Sequence, residues 1–498
     1  MLKLTKLYEI AHAREKQICI TDGNKEYTWE DVIRITESYV VFLRRTYDKE
    51  QLRSACYLSK NSAELICWLA AFATLGISAN GLDYSLPVET MTALIRTINP
   101  GLLLTSFKLF TAEQLNRLSG CGIPLIAIDA PTDPIISSIG ELHKTELNTL
   151  LSSHSSAPFR AVSLTSGTSS IPKIALRYRS FDARRFAWFT QRFNFTHHDG
   201  FMLILPLYHA AGNGWARMFM GLGAPLYLVD QDDEQALAST LVNSLVKATV
   251  MTPNLVSRLT NLAHKINLMH HLRWVLVGGS YFPVKSKLAA CAALGNIFNE
   301  YYGCTETGVN TLSDSQNMIA YPTSVGKVFD GNSVLILDEN NIPLQTGIKG
   351  RVAMSSYMLM DEYGDGSKPF ITLKGERYFI MADYGYLDGS GRLFLMNRNG
   401  ESRCNHDLYS IEEDIRALPC VGDVALVSLQ RKNKNQIGCI FSENKKNKTN
   451  FTLLMAKIEE KMGQAGVVDF TAQSVDNIPY SPSGKVRFSE VLRILDAA

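Results

Sequence analysis

The run from Thr165 to Lys173, TSGTSSIPK, packs two Thr, three Ser and one Gly ahead of a Pro-Lys pair, directly after a stretch with the pattern of a strand. A triphosphate needs many hydrogen-bond donors in a small volume. Small hydroxyl residues and glycine let backbone N–H groups turn inward, the hydroxyls add donors of their own, and the lysine supplies a cation for the outer phosphates. No glycine precedes the lysine, so this is not the GxxxxGK[ST] loop of P-loop nucleotide hydrolases. On composition alone, an ordinary surface turn is an equally good reading.

Other segments decide between the two. In chain order they are PLYHAAGNGW (Pro206 to Trp215), LVGGSYFP (Leu276 to Pro283), NEYYGCTETG (Asn299 to Gly308), MADYGYLDGSGRLFLMNR (Met381 to Arg398) and NIPYSPSGKVR (Asn477 to Arg487). Together with the loop they resemble the adenylate-forming (AMP-binding) superfamily of acyl-CoA synthetases, nonribosomal adenylation domains and luciferases, and most closely its acid–thiol ligase branch. The resemblance implies that Thr165, Ser166, Gly167, Thr168, Ser169 and Lys173 hold the phosphates of ATP. It places Gly279 and Ser280 beside adenine, where small residues allow a planar ring to approach the backbone. Tyr302 and Gly303 would border the same ring, and Thr305 would offer a hydroxyl to the α-phosphate. The Glu306 carboxylate suits a Mg²⁺ bridging phosphate oxygens, since Mg²⁺ takes oxygen ligands and often only one or two protein carboxylates. Asp383 can accept both hydrogen bonds of a ribose diol, with Arg398 closing the other side. His209 would line the acyl pocket, and Lys485 would be the catalytic lysine of adenylation.

The departures from the pattern bear on substrate and acceptor. Ser170 stands where the family has glycine. After His209, amino-acid-activating relatives carry an Asp that pairs with the substrate ammonium, whereas here the residue is Ala210. A buried ammonium without a counter-charge is costly. An α-amino acid is therefore disfavoured, and apolar acyl or aryl acids lead. Beyond Arg398 the segment before the next helix is shorter than in the family, which leaves two acceptors open: the thiol of CoA, or the phosphopantetheine of an acyl carrier protein, toward which the shorter loop leans. A third reading is a binding homologue that has lost activity, but Lys173, Glu306, Asp383, Arg398 and Lys485 are all present.

The elements that must position these residues are legible in outline. Between residues 159 and 302 short apolar runs alternate with helix-like stretches, which predicts parallel strands with crossover helices. The strands read Phe159 to Thr165, Phe201 to Leu207, Ala224 to Asp230, Ala248 to Thr252, Trp274 to Ser280 and Ile297 to Tyr302, with helices such as Asp233 to Lys247 and Pro283 to Leu294. After about residue 325 shorter alternating strands with turn signals predict a small β-barrel-like part. From residue 399 a helix (Ile411 to Leu418), two strands (Val424 to Leu429, Gln436 to Phe441) and a further helix (Phe451 to Met462) predict a small mobile α+β domain. The expected fold is thus α/β, with an AMP-binding domain over residues 1–397 and a lid carrying Lys485 over residues 399–498.

Bulk properties exclude several function classes. At 498 residues the chain is too long for one core, and a net charge of +2 leaves no footprint for nucleic acid or an anionic membrane. The nine cysteines lack metal-like spacing, as expected of reduced thiols. The longest apolar run, Leu65 to Ile77, is too short to span a bilayer. A cytoplasmic enzyme using ATP, Mg²⁺, a carboxylic acid and a thiol is the expectation.

Overall fold

The computed structural model describes residues 1–48, 50–129, 161–165, 173–266, 269–398, 406–431, 434–444, 447, 450–482 and 484–496. The main sheet has nine strands in the order Lys327–Val328, Gly308–Asp314, Phe298–Cys304, Trp274–Val277, Val246–Met251, Gly200–Leu203, Leu226–Leu228, Ile18–Asp22 and Lys25–Thr28. Its six central strands run parallel and its edges are antiparallel. Five of the six predicted strands lie here. Their apolar runs are continuous because helices cover the sheet, as the buried Trp274, Val275, Leu276 and Val277 show.

The sixth, found at Ala161–Leu164, corrects its predicted place. It pairs antiparallel with Ile174–Arg177 in a separate three-stranded sheet. The helix expected from Asp233 to Lys247 ends at Leu241, because Asn243 Oδ1 accepts from the Leu245 N–H at 2.9 Å in a local turn and Val246–Met251 then enters the sheet.

A second, wholly parallel sheet holds Ser78–Gly81, Ser54–Leu58, Leu102–Thr105 and Leu125–Ala127. The apolar run Leu65 to Ile77 belongs to helix Ala63–Leu75, which Ser62 caps at its start and Gly76 ends in the left-handed region at φ 71°. Nearly every residue of this helix is buried, so its uniform apolarity reflects a core position. Among the described residues no helix is long and apolar enough to cross a membrane.

The barrel-like part is a five-stranded antiparallel sheet built on the long strand Glu376–Leu387, which pairs with Gly350–Ser355, Phe370–Leu373 and Leu393–Arg398. The C-terminal unit carries the sheet Val421–Arg431, Lys434–Glu443, Phe470–Ser474 and the helices Leu408–Arg416, Phe451–Gln464 and Phe488–Asp496. Its apolar side chains form cores of their own, separate from the main one.

Candidate functional site

The two ends of the candidate phosphate loop, Thr165 and Lys173, are tied together. The Thr165 N–H donates to the Lys173 carbonyl at 2.9 Å, and the Lys173 N–H donates to Thr165 Oγ1 at 3.2 Å. This clamp closes a narrow mouth at the end of two antiparallel strands. Ser166, Gly167, Thr168 and Ser169 lie outside the described residues. Lys173 Nζ sits 5.1 Å from the ring centre of Tyr363, and the Tyr363 hydroxyl donates to Glu306 Oε1 at 2.9 Å. The candidate phosphate cation and the candidate metal ligand therefore flank one aromatic ring.

Glu306 is carried by the tight connection between Phe298–Cys304 and Gly308–Asp314. A side chain at Gly303 would collide with the Gly308 carbonyl, so the connection requires glycine there. Buried Arg177 braces it from below, with Nε donating to the Met358 carbonyl at 3.0 Å and Nη2 to the carbonyl of Thr305. Among the described residues no group of three or more His, Cys, Asp or Glu side chains could hold a metal ion. A single buried carboxylate oriented by a phenol suits a Mg²⁺ that takes its remaining oxygens from phosphates and water.

Tyr302, from the same strand, packs among the side chains of the antiparallel sheet and donates its hydroxyl to Asp383 Oδ2 at 2.6 Å. Burial, then the Asp383 charge, push this phenol well above its usual range. The structure thus shows Tyr302 orienting Asp383. Asp383 and Arg398 are direct partners in the strand register.

Lys485 comes from the other end of the chain. It sits in a hairpin held by bonds from the Ser481 N–H to the Lys485 carbonyl and from the Arg487 N–H to the Pro479 carbonyl, both 2.8 Å. The tip, Gly484 at φ 76°, leaves no room for a side chain against Thr252 Oγ1. Lys485 then crosses the backbone of Gly279: a Cβ there would lie 2.9 Å from the lysine Cε and 3.3 Å from Nζ. Gly279 also needs its φ of 88°. Ser280, next in line, is exposed.

His209 is the N-cap residue of helix Ala210–Gly221. Asn61 fixes the approach to it, donating to the Leu205 carbonyl at 2.9 Å and accepting from the Leu207 N–H at 2.7 Å. Burial, with a further push from the Lys485 charge, lowers the His209 imidazole to about 3. The ring is therefore neutral at physiological pH. An unfolded histidine titrates near 6.5, so below that pH the unfolded chain binds a proton that the folded chain refuses until about 3, and stability falls as the pH drops through this window. Urea unfolding at pH 6.5 and pH 5 is expected to show the protein losing about 1–2 kcal/mol more than its His209→Gln variant over that interval. Parallel losses in the two proteins would refute the assignment.

The family model for "AMP-binding enzyme" matches residues 7–364. The chain belongs to the AMP-binding enzyme family. Curated relatives include the 2-succinylbenzoate–CoA ligase of Staphylococcus aureus (strain JH9), 21% identical over 98% of this chain and 99% of that one. The corresponding ligase of Lactococcus lactis is 25% identical over 300 residues, 59% of this chain and 62% of the relative's length. Among solved structures, amide bond synthetase McbA from Marinactinospora thermotolerans superposes with a TM-score of 0.80 at 16% identity, over 99% of both chains. O-succinylbenzoate coenzyme A synthetase (MenE) from Bacillus subtilis, in complex with AMP, gives 0.77 at 16% identity over 97% of both. These structures share the fold of the AMP-binding enzyme described here.

Several residues that hold this AMP-binding enzyme's C-terminal unit against the main body were not singled out from the sequence. Arg487 Nη2 lies 3.1 Å from Asp83 Oδ2 and also meets Ser85. Tyr281 stacks on Tyr409 with ring centres 4.1 Å apart, and its hydroxyl donates to Glu413 Oε1 at 2.9 Å. The Val284 N–H donates to the same carboxylate oxygen. Arg487 and Ser85 also line an interdomain cavity of about 480 Å³, together with Asn254, Arg258 and Tyr480 among others. The only sequence signal was the position of Arg487 two residues beyond the lysine.

Proposed function

We propose that this chain uses ATP to activate a carboxylic acid and passes the acyl group to the thiol of coenzyme A. In the first step a carboxylate oxygen attacks the α-phosphorus, the bond to pyrophosphate breaks, and acyl-AMP forms. In the second the thiol sulfur attacks the acyl carbonyl, loses its proton, and AMP leaves. The observation that carries this reading is Lys485 lying over Gly279 beside neutral His209, in the molecule that also sets Lys173, Tyr363 and Glu306 side by side.

Attack of one anion on another requires local positive charge in a water-poor site. Lys485 supplies it at the reacting carboxylate and α-phosphate, Lys173 at the departing pyrophosphate. Glu306 would hold a Mg²⁺, which when bound neutralises charge on the phosphate oxygens. Neutral His209 does not add a second cation beside Lys485 and can hydrogen-bond the acyl carboxylate. Asp383, steadied by Tyr302, receives the ribose hydroxyls.

Coenzyme A is preferred over a carrier-protein thiol because the curated relatives are named as CoA ligases. The carrier-protein expectation raised by the short segment after Arg398 has no support from them. A reaction consuming ATP and CoA fits a cytoplasmic enzyme. The test is acid-dependent ATP–pyrophosphate exchange over fatty, aryl and amino acids, beginning with 2-succinylbenzoate, followed by CoA addition. Exchange with a carboxylic acid and consumption of free thiol upon adding CoA support the proposal; no exchange across the panel refutes it.

The Arg487–Asp83 pair holds the hairpin that presents Lys485. Arg487→Ala is expected to slow exchange about five- to tenfold, the size of one partly buried coupling. It should leave thioester formation from preformed acyl-AMP near the wild-type rate, because that step does not need Lys485 in this position. The reversed pair Asp83→Arg/Arg487→Asp should recover part of the exchange. Equal loss in both half-reactions would argue against a positioning role.

A further inference from the structure

Arg185, on helix Asp182–Phe193, is a buried cation that no step of the proposed reaction uses. Its side chain is 8% exposed, and its Nη2 lies 3.2 Å from Asp182 Oδ1. Asp182 does not balance it alone, because the other carboxylate oxygen is taken by Arg217. Two guanidiniums thus share one carboxylate, and the buried Nε of each lacks a hydrogen-bond partner among the described residues. The Arg185 guanidinium otherwise faces the rings of Phe181, Phe186 and Trp215 at 5.0, 5.0 and 5.6 Å. Burial pulls it down to about 10, which still leaves it charged at neutral pH.

Its position relative to the reacting end is fixed by two elements. Helix Ala210–Gly221 begins at His209, and five residues on, at Gly214, a Cβ would lie 2.6 Å from Arg185 Nη2. Five residues of α-helix advance about 7.5 Å. Tyr301 links the same two points from the facing strand. Its ring packs on Gly278, its hydroxyl lies 3.8 Å from the Cβ position of Gly279 where Lys485 crosses, and it feels the Arg185 charge. A wall made of Gly214 and Tyr301 therefore runs from the lysine to a guanidinium short of counter-charge. Ala210 and Gly214 contribute no acid along it.

We propose that Arg185 receives a second carboxylate on the substrate, farther along helix Ala210–Gly221 than the one that is activated, so that the acid is a dicarboxylic acid. This rests on the acid-activating reading above. The proposal adds a second anionic group to the apolar acyl or aryl acid expected from Ala210, and it opposes an ammonium-bearing substrate for a second reason.

The test compares acids of one skeleton with and without the distal carboxylate: adipate against hexanoate, and 2-succinylbenzoate against 4-oxo-4-phenylbutanoate. Wild-type exchange is expected to favour a diacid at least tenfold in kcat/KM. Arg185→Gln should abolish that preference mainly by raising KM for the diacid, with little change for the monoacid. Arg185→Lys should keep part of the preference. Wild-type indifference to the distal carboxylate, or an equal fall for both acids in Arg185→Gln, would overturn the assignment. Titration calorimetry of the diacids in the presence of AMP provides a readout independent of turnover. If no acid supports exchange, the functional reading fails, and calorimetry still decides the subsite. Diacid binding that Arg185→Gln abolishes and Arg185→Lys partly restores upholds it, and binding insensitive to Arg185, or none, removes it.

Discussion

Lys485→Ala is expected to lower acid-dependent ATP–pyrophosphate exchange by about 10²–10³-fold, the cost typical of deleting one preorganised group that stabilises developing charge in an enclosed site. The geometry explains why the effect should be concentrated there. Lys485 Nζ is brought within 3.3 Å of the Cβ position of Gly279, and its charge depresses His209; the proposed reaction has the acyl carboxylate and the α-phosphate meet at this ammonium. On the proposed reading, removing it would leave two anions facing each other without the cation that lies nearest to both. The hairpin itself should survive, because its fold rests on the backbone bonds of Ser481, Gly484 and Arg487 and not on the lysine side chain. Thioester formation from preformed acyl-AMP and CoA is therefore expected to change less than tenfold. Single-turnover measurement of both half-reactions makes the comparison. A comparable loss in both would mean that Lys485 acts throughout the reaction or that its deletion disturbs the docking of the C-terminal unit.

The same residues show what a sequence can and cannot reveal. The candidate donors of Thr165 to Lys173 stand out in the sequence because phosphate chemistry would dictate residue types within a few positions of each other, and the turn residues between Asp383 and Arg398 place the two on adjoining strands. The approach of Lys485 to Gly279 is different in kind. It depends on how one folded unit rests on another, and the only trace in the sequence is a glycine whose reason is a lysine two hundred residues away. Arg185 is hidden for a similar cause: its i,i+3 spacing to Asp182 resembles any helical ion pair, and only the packing of a second helix reveals that Arg217 competes for the same carboxylate. Ala161–Leu164 has the right period for a strand, but period does not choose a partner, and the short connection across the phosphate loop favours an antiparallel neighbour. The helix predicted to Lys247 continued through Val242, Leu245 and Val246 because the apolar pattern did, until an asparagine turn intervened.

Lys287→Met is expected to destabilise the protein by about 3–5 kcal/mol, the range for stripping one partner from a buried ion pair. Lys287, on helix Val284–Leu294, and Glu300, on strand Phe298–Cys304, are 2% and 4% exposed, with Nζ 2.6 Å from Oε2. The ammonium also donates to the Pro322 carbonyl at 2.7 Å. Burial raises the Glu300 carboxyl above its usual range and Lys287 opposes that rise, so deleting the lysine leaves a carboxylate that must either stay charged in an apolar layer or take up a proton. Either outcome strains the strand that presents Tyr301, Tyr302 and the Glu306 turn. Replacing both partners, Lys287→Met/Glu300→Leu, removes the uncompensated charge together with its desolvation penalty and should recover most of the loss, leaving a deficit of about 1 kcal/mol for the Pro322 carbonyl. Urea unfolding of the two variants separates the cases. A double variant as unstable as the single one would show that the lysine acts through packing and its bond to Pro322, and that the ion pair itself contributes little to holding the site strand in place.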